Sequence, residues 1–345
     1  MTKEITYAEA GVDIDQGKEF VKRLQNMRAK AWPDAPPIGG FAGRCKIPTN
    51  RDEFDTSTDS TGTKIVLAAL AEIYDGIGQD AVAMSAVDIY AAGSKPFHIL
   101  DFFAVDHQET ERDLAIMQSL INGCKLAECT LPGGELAVLP DFFKYPWMCE
   151  LVTFAIGFPL PKPNYVSVEQ GLTVWGWPSY GPACNGFSLL RKVFKLTDSP
   201  SRVRPRLHKH WDDLQSTLAD ALLAPTPIWI KDIEILRRKG VAFAGHAHIT
   251  GGGLVENIPR ILPANCKVII DRRNWKRPPI FRLTQELGPV SADEMDRVFN
   301  QGIMMVSIAG SSGIRFPAWC KLIGLVEKRR DNEPQVEFIG QYNDG

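Results

Sequence analysis

The chain lacks most of the features that assign a protein at a glance. It has no Cys-x-x-Cys pair: its seven cysteines, at 45, 124, 129, 149, 184, 266 and 320, are scattered and odd in number. That spacing argues against a disulfide framework or a zinc site and for reduced thiols in a core. No run reaches the roughly eighteen apolar residues of a membrane span, and no apolar stretch follows Met1-Thr-Lys-Glu, so a cytoplasmic protein without a leader or membrane contact is expected. Charge of one sign is also scarce. The 39 basic and 41 acidic side chains leave a formal net charge of -2, so no basic excess exists to drive counterion release from nucleic acid. Internal repeats and low-complexity segments are missing as well.

What is present is a globular composition. With 345 residues and 44% hydrophobic side chains, the chain can bury two cores rather than one. The proline-rich link that closes Phe154-Ala-Ile-Gly-Phe-Pro-Leu-Pro-Lys-Pro163 is the best boundary. It predicts domains at 1–160 and 161–345. Strand-like and helix-like stretches alternate in both halves, which implies an α/β or α+β fold.

Chemistry concentrates in a few stretches. His246-Ala-His248-Ile-Thr250-Gly251-Gly252-Gly253-Leu-Val-Glu256-Asn257-Ile-Pro-Arg260 reads as strand, glycine turn and helix. Consecutive glycines permit positive φ and close approach, so backbone N–H groups can gather on an anion; a plain tight turn is the bland reading. Thr56-Ser-Thr-Asp59-Ser60-Thr61-Gly62-Thr63-Lys64 precedes an apolar helix but has neither the first glycine nor the Gly-Lys-Ser/Thr order of a Walker A loop. Gly78-Gln-Asp80 to Asp88-Ile-Tyr-Ala-Ala-Gly93 reads as a buried helix with two acids, which need a cap, an ion pair or a metal to justify their burial. Leu131-Pro-Gly133-Gly134-Glu135 and Tyr180-Gly-Pro-Ala183-Cys184-Asn185-Gly186 add an acid and an amide beside glycine turns. Cys184, without a paired base, reads as an inert thiol.

In this order the motifs resemble the phosphoribosylformylglycinamidine cyclo-ligase (aminoimidazole ribonucleotide synthetase) family over about residues 5 to 340. Residues 248–260 resemble its H-[IL]-T-G-G-G-x-x-E-N-[IL]-P-R signature, 56–64 its S-G-T-D-G-V-G-T-K, 131–140 its G-G-E-T-A-E-M-P and 185–192 its N-G-[YF]-S-L-[VL]-R-K. The resemblance implies the two-domain fold of that family, with an N-terminal ATP- and metal-binding domain that dimerises and a C-terminal mixed-sheet domain. It implies ATP and Mg2+ as cofactors, a small ribonucleotide substrate and a homodimer. By the same carry-over, Asp80, His248 and Asn185 would be catalytic, and Asp59, Asp80 and Glu135 would hold the metal. Asp59, Gly62, Thr63, Lys64, Asp88, Glu135, Thr250, Gly251, Gly252 and Gly253 would bind the nucleotide and substrate.

The chain also departs from the family. Gln25, Val87, Leu136, Val138 and Ala183 stand where the family carries lysine, asparagine, threonine, glutamate and histidine. The expected activity is therefore ATP-dependent ring closure of formylglycinamidine ribonucleotide with an edited site. A homologue that binds a nucleotide without turnover and regulates another purine enzyme is the alternative, as is an ATP-dependent enzyme for a related substrate.

Overall fold

In a computed structural model the chain is described at residues 6, 43–46, 53–160, 166–310 and 313–344. Gln25, the helix expected at 16–30 and nearly all of the glycine-rich stretch at 38–43 lie outside these. The described chain separates into two compact units, the first ending at Leu160.

The first unit is one five-stranded sheet backed by helices. Its strands are β1 (Gly43–Lys46), β2 (Glu53–Ser60), β3 (Ser94–Val105), β4 (Thr130–Val138) and β5 (Cys149–Pro159), in the order β1-β2-β5-β3-β4. Only β3 and β4 run parallel; the helix α3 (Thr110–Leu126) makes the crossover between them. Period-two alternation in β3 sends Ile99, Asp101 and Phe103 inward and Leu100 and Phe102 outward. The helix α2 (Ile77–Ala91) is apolar nearly all round and is correspondingly buried. It crosses α3 closely at Gly78, where a Cβ would overlap the backbone of Ile116 and Leu120. The short α1 (Lys64–Ala71) follows β2.

The second unit carries a six-stranded mixed sheet. It comprises β6 (Thr173–Pro178), β9 (Phe243–His248), β10 (Cys266–Asp271), β11 (Ile303–Ala309), β12 (Lys321–Lys328) and β13 (Val336–Ile339), in the order β13-β10-β12-β6-β11-β9. Strand β11 is buried at every residue, as a central strand covered on both faces must be. A small ribbon, β7 (His210–Trp211) with β8 (Ser216–Thr217), stands apart. The helices are α4 (Phe187–Val193), α5 (Pro200–Leu207), α6 (Leu218–Leu223), α7 (Ile230–Arg238), α8 (Gly253–Asn257), α9 (Pro279–Leu287) and α10 (Ala292–Val298). A capping box of Thr217 and Asp220 starts α6, and Ser291 caps α10. No described helix is long and apolar enough to cross a membrane.

Candidate active site

In the first unit β2 ends on Asp59 and Ser60, and the turn of Thr61, Gly62 and Thr63 leads into α1. Asp59 is half-buried and its Oδ1 accepts the Ser60 N–H at 2.7 Å; the Ser60 hydroxyl in turn accepts from the Gly62 N–H at 3.1 Å. Gly62 has φ +54, the left-handed turn that glycine adopts without cost. Thr63 is the first residue outside α1, so the N–H groups at the start of this helix face the loop.

Lys64 and Asp80 meet inside the protein. Lys64 Nζ lies 2.7 Å from Asp80 Oδ2, and neither side chain has any exposure. The ammonium expected to reach a triphosphate is thus held by a carboxylate expected to hold a metal. Coulomb attraction at such range in a poorly screened interior holds Asp80 Oδ2 to Lys64. Asp88 lies half-buried in the last turn of α2, and Val87 beside it is core. Glu135 sits on the exposed strand β4, level with Phe102 and so on the outward face of the sheet.

One acid that the sequence reading passed over belongs here. Glu150 on β5 bonds Ser60, which lowers its pKa, while burial outweighs this and pushes it above the usual carboxylate range. Its Oε1 is buried without a hydrogen-bond partner. Among the described residues no three His, Cys, Asp or Glu side chains converge as a metal centre. Magnesium requires no such cage, since it keeps several waters and takes one or two carboxylates plus phosphate oxygens. The unsatisfied Glu150 oxygen beside the Asp59 loop fits that mode of binding.

In the second unit the motif of three glycines folds as a turn between β9 and α8. Gly252 and Gly253 have φ of +96 and +58. Asn257 staples the turn from below, its Nδ2 donating to the carbonyls of Thr250, Gly251 and Gly253 at 3.4, 3.2 and 2.9 Å. Arg260 donates to Asn257 Oδ1 at 3.2 Å, and Glu256 pairs with Arg297 at 3.1 Å. Two of the three glycine N–H groups are committed inside the protein: Gly251 to Asn185 Oδ1 at 3.2 Å and Gly253 to the Thr250 carbonyl at 3.0 Å. The turn is therefore largely self-satisfied, and the convergence of N–H groups expected of it is correspondingly reduced.

Asn185 ties the turn to the start of α4. Its Nδ2 is buried without a partner, as is Arg191 Nε within α4 itself, and burial draws the Arg191 guanidinium below its ordinary range. Two unsatisfied donors imply an acceptor supplied by a ligand or water. Arg191 was legible in the sequence as part of the Asn-Gly motif but not as a site residue. Ala183, in place of the family histidine, is buried with φ +56, and Cys184 faces Thr226 at 3.8 Å.

His248 ends β9 with no exposure. Its neighbour His246 bonds Ser307 Oγ at 2.8 Å, and burial pulls its pKa down from 6.5 to about 3. The sign follows from linkage: the unfolded chain binds a proton at this residue below about pH 6.5 and the native state does not. Stability should fall as pH drops from 6.5 towards 3, by about 1.4 kcal/mol per pH unit. Urea unfolding of His246→Gln should lack that part of the acid slope.

Known proteins resemble this chain in sequence and in fold. Residues 43–158 match the N-terminal domain and residues 169–337 the C-terminal domain of the AIR synthase related protein family. The chain is 38% identical over 330 residues, 94% of its length and 95% of the relative's, to the phosphoribosylformylglycinamidine cyclo-ligase of Thermoanaerobacter pseudethanolicus. It is 38% identical over 310 residues, 89% of its length and 75% of the relative's, to the chloroplastic cyclo-ligase of Arabidopsis thaliana. In fold it resembles thiamine monophosphate kinase from Aquifex aeolicus, with a TM-score of 0.59, 14% identity and coverage of 92% and 97% of the two chains; at that identity the likeness is one of fold alone.

Proposed function

The chain belongs to the AIR synthase related protein family, and from that premise we propose that it closes the imidazole ring of formylglycinamidine ribonucleotide, using ATP, to give aminoimidazole ribonucleotide in purine biosynthesis. The observation that carries this reading is 38% identity to a cyclo-ligase along nearly the full length of both chains. The reaction joins carbon to nitrogen: ATP phosphorylates the amide oxygen, an amidine nitrogen attacks the activated carbon, and phosphate leaves. Positioning and charge neutralisation dominate such transfers.

The division of labour we assign follows the two units. In the first, 1–160, the loop of Asp59, Gly62 and Thr63 receives the triphosphate on backbone N–H groups at the start of α1. Magnesium, when bound, would neutralise phosphate charge; Glu135 and Glu150 share the outward side of the sheet and are the carboxylates available to it there, whereas Asp59 falls in the inward row of Asp101. Lys64 and Asp80 act by fixing the junction of loop, α1 and α2; Asp88 lies further along α2. In the second unit, 161–345, Asn185, His248, Thr250 and the turn Gly251–Gly253 bound the ribonucleotide, with Arg191 and Asn185 offering unsatisfied donors to its carbonyl or phosphate oxygens.

The assay is ADP and aminoimidazole ribonucleotide formation by the purified protein with Mg2+, ATP and formylglycinamidine ribonucleotide. Product is expected. Absence of product together with a raised melting temperature on adding either ligand would replace this reading with a binding homologue, the outcome that the losses at Val87 and Ala183 favour.

We also propose a cytoplasmic homodimer. The outward face of the first sheet exposes Phe97, Leu100, Phe102, Phe154 and Phe158 by 37 to 47% each, with Phe97 and Phe158 packed edge to face at 5.2 Å. Contiguous apolar surface of this kind marks an interface. Sedimentation should give a dimer, and Phe102→Asp should give a folded monomer.

A further inference from the structure

On its inner face the first sheet holds a second feature, independent of the outward dimer face. A cavity of about 470 Å³ lies between α3 and β4, walled by Phe103, Leu114, Met117, Leu131 and Leu136, with Asp101 at its floor. Strand register places Asp59, Thr153, Asp101 and Gly134 in one row across β2, β5, β3 and β4, so Asp101 and Gly134 face each other across adjacent strands. A Cβ at residue 134 would overlap the Asp101 carboxylate; only glycine leaves room for it. Asp101 is 9% exposed, and no other side chain of the described residues bonds it; its own backbone N–H is the single donor it meets.

A largely buried carboxylate with one backbone donor and no cation is costly. The walls supply none: the cavity is lined by no lysine or arginine. Two other acids, Asp113 and Glu135, also line it, with the uncharged Gln108 and Thr110. Asp113 accepts from Arg112 Nε at 2.8 Å and from the Glu109 N–H at 2.9 Å, and Glu135 is level with outward-facing Phe102. Every charge in the lining is thus negative, and Asp101, unpaired by any side chain, lies at the bottom of a cleft closed to anions and suited to a positive head. Leu136, where the family motif has threonine, makes the wall apolar in this chain.

We propose that this cavity binds a small organic cation, an amidinium or ammonium head on an apolar body, with Asp101 as its counter-ion. An amidinium reproduces the planar two-donor geometry that pairs best with a carboxylate, and the apolar body replaces water against Leu114, Met117 and Leu136. The proposal does not rest on the cyclo-ligase reading: Asp101 has no part in that reaction, and of the lining only Glu135 is given one, its register placing it level with outward-facing Phe102.

Benzamidine, with benzamide as its uncharged isostere and benzoate as its anionic one, tests it by titration calorimetry on the full chain. Neutral pH lies above the value of about 6 to which burial pushes the Asp101 carboxyl, so the counter-ion is charged. Benzamidine should bind saturably and at least about tenfold more tightly than benzamide, and benzoate should not bind. Asp101→Asn should erase the difference between the first two, and Met117→Trp, which fills the cleft and leaves the carboxylate, should block both. Equal affinity for benzamidine and benzamide, or benzamidine binding that survives Met117→Trp, overturns the proposal. The Trp variant decides the matter even if Asp101→Asn does not fold.

Discussion

Lys64→Met is expected to cost the first unit about 3–5 kcal/mol, the range measured when one partner of a buried ion pair is removed, and to lower its urea midpoint by roughly 2 M. The pair has no solvent to fall back on: both side chains are fully buried at an Nζ–Oδ2 distance of 2.7 Å. Removing the ammonium strands a carboxylate on α2 among Ala81, Val82, Ala83 and Met84, all core. The double variant Lys64→Met with Asp80→Leu should recover most of the loss, because an apolar pair of similar volume carries no desolvation penalty. That second variant separates stability from chemistry. A folded double variant without ATP turnover makes the pair part of the nucleotide site; one that keeps turnover makes it scaffold. A loss below about 1 kcal/mol in Lys64→Met, the value for exposed pairs, would mean that water reaches the pair.

The same pair shows where sequence reasoning stops. Glycine positions were legible because φ above zero has a residue signature: the expected strand, turn and helix at 246–257 is the structure found, with Gly252 and Gly253 in left-handed conformations. The acids of α2 were legible as needing compensation, but not as to which cation supplies it. Periodicity assigns a face, not a partner, and Lys64 belongs to a different helix. Glu150 and Asp101 were hidden for a related reason. Each is a single acid inside a strand whose alternation is otherwise ordinary, and its significance comes from cross-strand neighbours, Ser60 for one and Gly134 for the other, that only register reveals. The self-satisfaction of the glycine turn was equally out of reach, since Asn185 arrives from a distant part of the chain.

Gly253→Ala should be the most damaging change in the second unit. The residue is buried with φ +58, so alanine there meets the left-handed penalty of about 1–2 kcal/mol. Its Cβ would also overlap the Asp296 carbonyl and stand 3.0 Å from that of Phe299. Neither neighbour can yield cheaply. Asp296 is fixed by Arg272 and by the Tyr342 hydroxyl at 2.6 Å, and Phe299 is core. A total loss of about 3 kcal/mol or more follows, the scale of overpacking combined with backbone strain. Gly251→Ala is the matched control: a Cβ there meets nothing nearer than Asn185 Oδ1 at 4.0 Å, so its effect on urea unfolding should stay within about 0.5 kcal/mol. The pair of variants also reads the chemistry. If Gly251→Ala keeps stability and loses turnover, the turn touches the ribonucleotide; if it keeps both, the turn serves only to join β9 to α8. Gly253→Ala with wild-type stability would show that α8 and α10 do not approach as closely as the Gly253–Asp296 contact requires.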